Sequence, residues 1–360
     1  MKYIDEFRSR ALTSRLISRI RSVADEGREY RYMEVCGTHT MAIFKYGLRE
    51  LLPRNIRLIS GPGCPVCVTP LEYLDRAIAI AGLPKVIITT FGDMLRVPGS
   101  SSTLENERAG GKHIKVVYST DDALDIANRN TDKEVVFLGV GFETTVPTVA
   151  ASIMSAAKQG IHNYSVLCAH KTMPEALGAI MAHRDARIDG FLLPGHVSAI
   201  TGMKPYGFLA KRYGAGCVAA GFEPVDMLQA ILMLMEQKRP IVEVQYKRIV
   251  DPLGNRLARK AIEKVFEKSS SEWRGIGKLK NSGLRIRKEF SRFDASLKFR
   301  VKTVRPREDK SCICGAVLKG IKTPVDCKLF GKKCTPADPV GSCMVSSEGT
   351  CAAYYKYGRR

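Results

Sequence analysis

Of the eleven cysteines in this 360-residue chain, six fall within the last 49 residues: Cys312, Cys314, Cys327, Cys334, Cys343 and Cys351. Three more sit early, at Cys36, Cys64 and Cys67. Cys168 and Cys217 stand alone in apolar, strand-like runs (SVLCA, AGCVAA), where a buried and inert thiol is expected. An odd count in a long chain argues against a secreted disulfide framework. It favours thiol or metal chemistry in a reducing compartment, and the cytoplasm is the expected location. The late group lacks the paired CxxC-like knuckles of a structural zinc site. Its long, irregular intervals, set among Gly, Pro and small residues, suit a cubane cluster, which needs four thiolates converging from separate turns. Zinc and free structural thiols are the alternatives. Taking the outer partner of each close pair gives Cys312, Cys327, Cys334 and Cys351 as ligands of a [4Fe-4S] cluster, with Cys314 and Cys343 left as redox or packing thiols.

The early cysteines suggest different chemistry. In Gly61-Pro-Gly-Cys64-Pro-Val-Cys67 a CxxC stands between a strand and the helical pattern TPLEYLDRAIAI. That placement predicts a thiolate on a helix N-terminus, its pKa lowered by the macrodipole, as in a dithiol redox pair; half of a zinc site is the alternative. Cys36-Gly-Thr-His39 reads as a catalytic Cys/His pair or a soft-metal site, against the plainer reading of a buried Cys beside a structural His. Asp93, Glu143, His170, Lys171 and His196 also fall after strand-like runs. Glu143 in GFETT and His196 in LPGHVS are the first choices for proton handling or for hydrogen bonding to an anionic ligand. No phosphate-binding loop is present, and GVGFET is too degenerate to mark a dinucleotide site.

Positioning these residues requires strands that end together. The composition, 45% hydrophobic and 26% charged, is that of a globular protein, and no run approaches the ~20 apolar residues of a membrane span. The first 24 residues pattern as an amphipathic helix. Between residues 31 and 237 about eight short apolar runs alternate with helical patterns, which gives parallel sheet covered on both faces. The reading is an α/β protein with two similar parallel-sheet lobes, 51–128 and 129–240, around a cleft. A third domain, 241–360, carries the [4Fe-4S] cluster, and segment 1–50, the N-terminal helix and first strand, packs with it. An eight-stranded barrel is the alternative. In open α/β sheets ligands bind at the carboxyl ends of strands, where nearly all the unusual residues fall. The net charge of +21 is uneven, +5 over residues 1–240 and +16 over 241–360. With no recognisable nucleic-acid motif and no membrane segment, the basic block reads as a protein-docking or solvated face.

Taken together, CGTHT, GPGCPVCVTP, TTFGDMLRVPGS, GVGFETT, LPGHVSAI and CTPADPVGSCMVSSEGTCAAYYKYG resemble the HypD family of [NiFe]-hydrogenase maturation factors, from about residue 30 to 358. The resemblance implies three α/β-containing domains around a central cleft. It implies a scaffold and redox-active maturation factor, rather than a conventional turnover enzyme, on which the Fe(CN)2CO unit is assembled. The partners implied are HypC, a small OB-fold chaperone whose N-terminal cysteine shares the iron, and HypE, a transient carrier that delivers cyanide from a thiocyanate. On this resemblance Cys36 holds the Fe(II) that carries CO and cyanide, Cys64 and Cys67 form the redox pair, and Cys312, Cys327, Cys334 and Cys351 hold the cluster. Reductive release of cyanide would draw electrons from the cluster through the dithiol, as in ferredoxin-type thioredoxin reductases. The rival reading is an iron–sulfur-dependent thiol–disulfide reductase, which leaves Cys36 and His39 without a task.

Overall fold

A computed structural model of the chain describes residues 4–358. Nine short strands follow the apolar runs: β1 Tyr30–Glu34, β2 Ile56–Ser60, β3 Val86–Thr90, β4 Ile114–Val116, β5 Glu134–Gly139, β6 Tyr164–Cys168, β7 Gly190–Pro194, β8 Gly216–Ala220 and β9 Val242–Val244. They form two wholly parallel sheets, ordered β2-β1-β7-β8-β9 and β4-β3-β5-β6. β3, β7 and β8 are buried at every position, as strands with helices on both faces must be. The helices between them bury one apolar stripe each; in Leu71–Ala81 it is Leu74, Ala77, Ile80 and Ala81. The expected parallel α/β architecture with two sheets is therefore present, and the strands do not close into one barrel.

Sheet membership does not follow consecutive halves of the chain. The first sheet takes β1 and β2 from before the second and β7, β8 and β9 from after it, joined where Tyr32 aligns with Gly190. The expected boundary at 128/129 lies between β4 and β5 of a single sheet. Strand–helix alternation is the same on both sides of the crossing, so periodicity alone carries no mark of it.

The last 120 residues pack in two places. After the helix Arg256–Val265 come β10 (Phe266–Trp273) and β11 (Gly277–Ile286), an antiparallel hairpin with a register break between Ser269 and Ser271. Val265, Phe266, Leu284 and Ile286 share the core of the second sheet with Phe137 and Val166. The cysteine-rich segment holds only short helices, among them Cys314–Leu318 and Thr350–Tyr357. Its Cys314, Leu318, Cys343 and Val345 join the apolar cluster that contains Met33, Cys64 and Cys67. The N-terminal helix Arg10–Val23 lies on Pro224–Glu236, with Ile17 and Ile20 in the core of the first sheet, rather than on residues 241–360. The helix Gly37–Lys45 does meet Thr350–Tyr357, where Phe44 and Tyr354 pack edge to face at 4.5 Å. Among the described residues no helix is long and apolar enough to cross a membrane.

Candidate functional site

The carboxyl ends of strands from both sheets open on one cleft. Its walls include Gly63 and Cys64 after β2, Phe91 and Asp93 after β3, Gly141 and Thr145 after β5, and His196 after β7. Cys36 is buried behind Gly63 and His196, which line the cleft. It is the N-cap of Gly37–Lys45 in an extended conformation (φ −149°, ψ 127°), and its Sγ lies 3.9 Å from His196 Nδ1. Two glycines allow this packing. A Cβ on Gly63 would fall 2.4 Å from the Cys36 nitrogen, and one on Gly37 would fall 2.3 Å from the Glu348 main chain. Burial pushes the Cys36 thiol up to about 12, with Glu348 adding to the effect against the backbone N–H groups of His39 and Thr38. Burial lowers His196 to about 4, so a neutral imidazole faces a neutral thiol.

The tail completes the cleft, a contribution the sequence reading missed. Ser346 and Glu348 line it; the Ser346 hydroxyl donates to Asp93 Oδ2 at 2.7 Å, and the Thr38 hydroxyl donates to Glu348 Oε1 at 2.7 Å. The only signal available was the polar SSEGT between Cys343 and Cys351.

Cys64 and Cys67 do not sit on a helix N-terminus. The helix begins at Leu71, and the pair occupies the preceding turn, closed by Val68 N–H to Cys64 O at 3.3 Å. The macrodipole therefore does not set the thiol pKa values. Burial opposes ionisation of Cys67, but hydrogen bonds from the Cys343 and Cys64 thiols outweigh it and bring Cys67 down to about 6. Burial, and the same bond seen from its donor, push Cys64 up. Only Cys64 of the two lines the cleft; Cys67 points inward, where its carbonyl accepts from the Ser342 hydroxyl at 2.8 Å.

All six C-terminal cysteines line a single pocket, together with apolar Val317, Leu329, Phe330 and Met344. Burial raises Cys312 to about 12, and its neighbours Cys314, Cys351 and Cys327 reinforce the shift. Cys334 is raised in the same way, with Cys351 and Cys327 beside it. A thiol-rich, apolar lining of this kind fits an iron–sulfur cluster in its donor chemistry, since bound iron would favour the thiolates that burial disfavours. Among the described residues no group of three or more His, Cys, Asp or Glu is disposed to hold a single metal ion. The two cysteine groups touch through Cys343, a residue left unassigned by spacing. Its Sγ is 2.9 Å from Cys314 Sγ, and it also shares hydrogen bonds with Cys351 and Cys67.

Four expected residues lie elsewhere. His39 turns away from Cys36: its Nε2 donates to Gly221 O at 2.9 Å, its ring packs on Phe222, and burial lowers it to about 4. Glu143 faces a second pocket beside Thr172 and Phe266, accepts from the Met173 N–H at 3.0 Å, and is pushed by burial up to about 7. Lys171 is buried under the hairpin, donating to Ser271 Oγ at 2.7 Å, while His170 Nδ1 lies 3.3 Å from Cys168 Sγ.

Comparison with known proteins matches residues 11–358 to the family model HypD, described as "Hydrogenase formation hypA family". The chain is 50% identical over 370 residues to the hydrogenase expression/formation protein HupD of Azotobacter chroococcum mcd 1, covering 100% of this chain and 98% of that protein. It is 44% identical over 366 residues to the hydrogenase maturation factor HypD of Escherichia coli K12, covering 99% and 98%. Motifs, fold and comparisons converge, and the chain belongs to the HypD family of hydrogenase maturation factors.

Proposed function

We propose that the protein is a scaffold on which, together with HypC, an Fe(CN)2CO unit is assembled at Cys36. The observation that carries this reading is the buried Cys36 thiol 3.9 Å from the neutral imidazole of His196, which lines the cleft together with Cys64. Fe(II) bearing CO and cyanide is soft cargo, suited to thiolate. Its binding displaces the Cys36 proton, and the ferrous charge offsets the burial that holds the free thiol neutral. His196 Nδ1, 3.9 Å away, is within reach as an acceptor for that proton.

Cyanide release from the thiocyanate carried by HypE would use the dithiol. Cys67 takes the Cys64 proton, and Cys64 sulfur attacks the carrier's sulfur. The S–C bond breaks, cyanide leaves with the bonding pair, and a mixed disulfide remains. Cys67 then attacks Cys64 sulfur, its proton passing to the departing carrier thiolate, and a Cys64–Cys67 disulfide is left. The cleft-facing position of Cys64 and the hydrogen bond between the two thiols support this division of labour. Cys312, Cys327, Cys334 and Cys351 would hold the [4Fe-4S] cluster, which when bound supplies electrons one at a time, as restoring the dithiol requires.

Infrared spectra of the anaerobically purified complex with HypC test the assignment. Wild type should show iron-bound CO and cyanide bands, and Cys36→Ala should lose all of them. Cys64→Ala and Cys67→Ala should keep the visible absorption of the cluster but lose the cyanide bands. Cyanide bands that persist in both variants would sink the dithiol step. Disulfide reductase turnover without any such bands in wild type would favour the reductase reading.

A further inference from the structure

The first sheet has an open edge that none of this chemistry uses. β2 pairs on one side only, with β1. Tyr30 N–H to Asn55 O and Gly61 N–H to Glu34 O direct the odd-numbered main-chain groups of this stretch toward β1. By strand alternation Leu58 and Ser60 send their N–H and C=O outward. The side chains of Ile56 and Leu58 are buried in the core of the first sheet, so their main chain is what they present to the groove along this edge. The opposite wall is formed from residues between Val317 and Asp326. Gly320, at φ +70°, brings that wall down onto the sheet where a Cβ would strike Ile59 and Met33.

The groove is basic. Arg31, Arg49, Arg54, Arg57 and Lys322 line it, against Asp326. Arg49 is engaged by buried Glu34, and Arg31 and Arg57 share exposed Glu29, which still leaves positive charge in excess. Arg31 and Arg57 stand opposite each other in register, on one face of the sheet. The edge runs the length of five residues, roughly 16 Å at ~3.3 Å per residue. That is long for one small anion and right for a short strand. Nucleic acid would use the cations but has no need of outward-facing amides.

We propose that this groove docks an extended, acidic segment of a partner protein, which adds to β2 as a further strand and sets alternate carboxylates on Arg31, Arg54 and Arg57. The proposal stands independently of the chemistry assigned to the cysteines.

The test uses the full chain and a labelled Val-Glu-Val-Glu-Val-Glu peptide, with Val-Lys-Val-Lys-Val-Lys as the control. Fluorescence anisotropy should show saturable binding of the acidic peptide that weakens with salt, and none of the basic one. Hydrogen exchange resolved to single residues should slow at Leu58 and Ser60 on binding, and not at Arg57 or Ile59. The double variant R54E/R57E, with an unchanged melting temperature, should bind about tenfold more weakly. Absence of saturable binding, protection of the wrong amides, indifference to charge reversal, or preference for an oligonucleotide would each overturn the proposal.

Discussion

The pairing of Cys36 with a histidine shows what single residues reveal and conceal. Spacing pointed to His39, three positions on, as a residue close enough to face the same ligand. Cys36 is instead an extended N-cap, so its side chain leaves the helix wheel and meets His196, which follows the neighbouring strand β7. The histidines also govern acid stability. His39, His170 and His196 are buried neutral, lowered to about 4, 3 and 4 from an ordinary 6.5. Below pH 6.5 the unfolded chain binds protons that the native state refuses, so stability falls as the pH drops toward 4. Glu143 has the opposite sign: raised from 4.5 to about 7, it favours the native state as the pH falls through that window. The three histidines are joined by Cys67, which is lowered to about 6 and has the same sign. Together they outweigh Glu143 and Glu34, which burial also raises. The urea midpoint should therefore drop between pH 7 and pH 5, by an amount corresponding to roughly 3 kcal/mol at ~1.4 kcal/mol per pKa unit. A flat or rising midpoint over that range would refute the assignment.

At the scale of elements, the strands and their helices were legible because apolar runs and amphipathic stripes are local, periodic signals. The cleft was legible for the same reason, since strand ends mark it. The turn carrying Cys64 and Cys67 was not: Pro70, the N-cap residue, starts the helix at Leu71, beyond the reach of both thiols. Nor was the fit of the tail against the first helical turn, which depends on tertiary contact alone. Gly37 and Gly207, each the first residue of its helix, make that contact testable. A Cβ on Gly37 would strike the main chain of Glu348, whereas one on Gly207 meets nothing within 4 Å. Gly37→Ala should lose about 1–3 kcal/mol in chemical denaturation, as overpacking against backbone does. It should also detach Glu348 from Thr38. Gly207→Ala should gain ~0.5–1 kcal/mol by restricting the unfolded chain. Equal effects at the two positions would mean that the tail is not seated on the helix.

For the whole molecule, the sequence suggested bodies strung along the chain, and the structure interleaves them. The chain leaves the first sheet after β2, builds the second, and returns at β7, a crossing set by which strands pair and not by any local pattern. The last third follows the same logic: its hairpin shares a core with the second sheet, and its cysteine segment shares one with Cys64 and Cys67. Apolar surface shared in this way couples the parts, because exposing one face strips burial from the other. The single tryptophan reports on that coupling. Trp273 ends β10, is fully buried, stacks on Phe142 after β5 at 5.9 Å, and donates through Nε1 to Ser282 Oγ at 2.9 Å. Its fluorescence therefore follows the hairpin, while far-ultraviolet circular dichroism follows the two sheets and their helices. Were residues 241–360 an independent unit, the two probes would trace separate transitions in urea. Shared cores require one coincident transition, and Phe142→Ala should move both curves together, by about 3 kcal/mol for a buried aromatic truncation. A tryptophan transition that separates from the dichroism, or that alone shifts in Phe142→Ala, would show that the last third folds by itself.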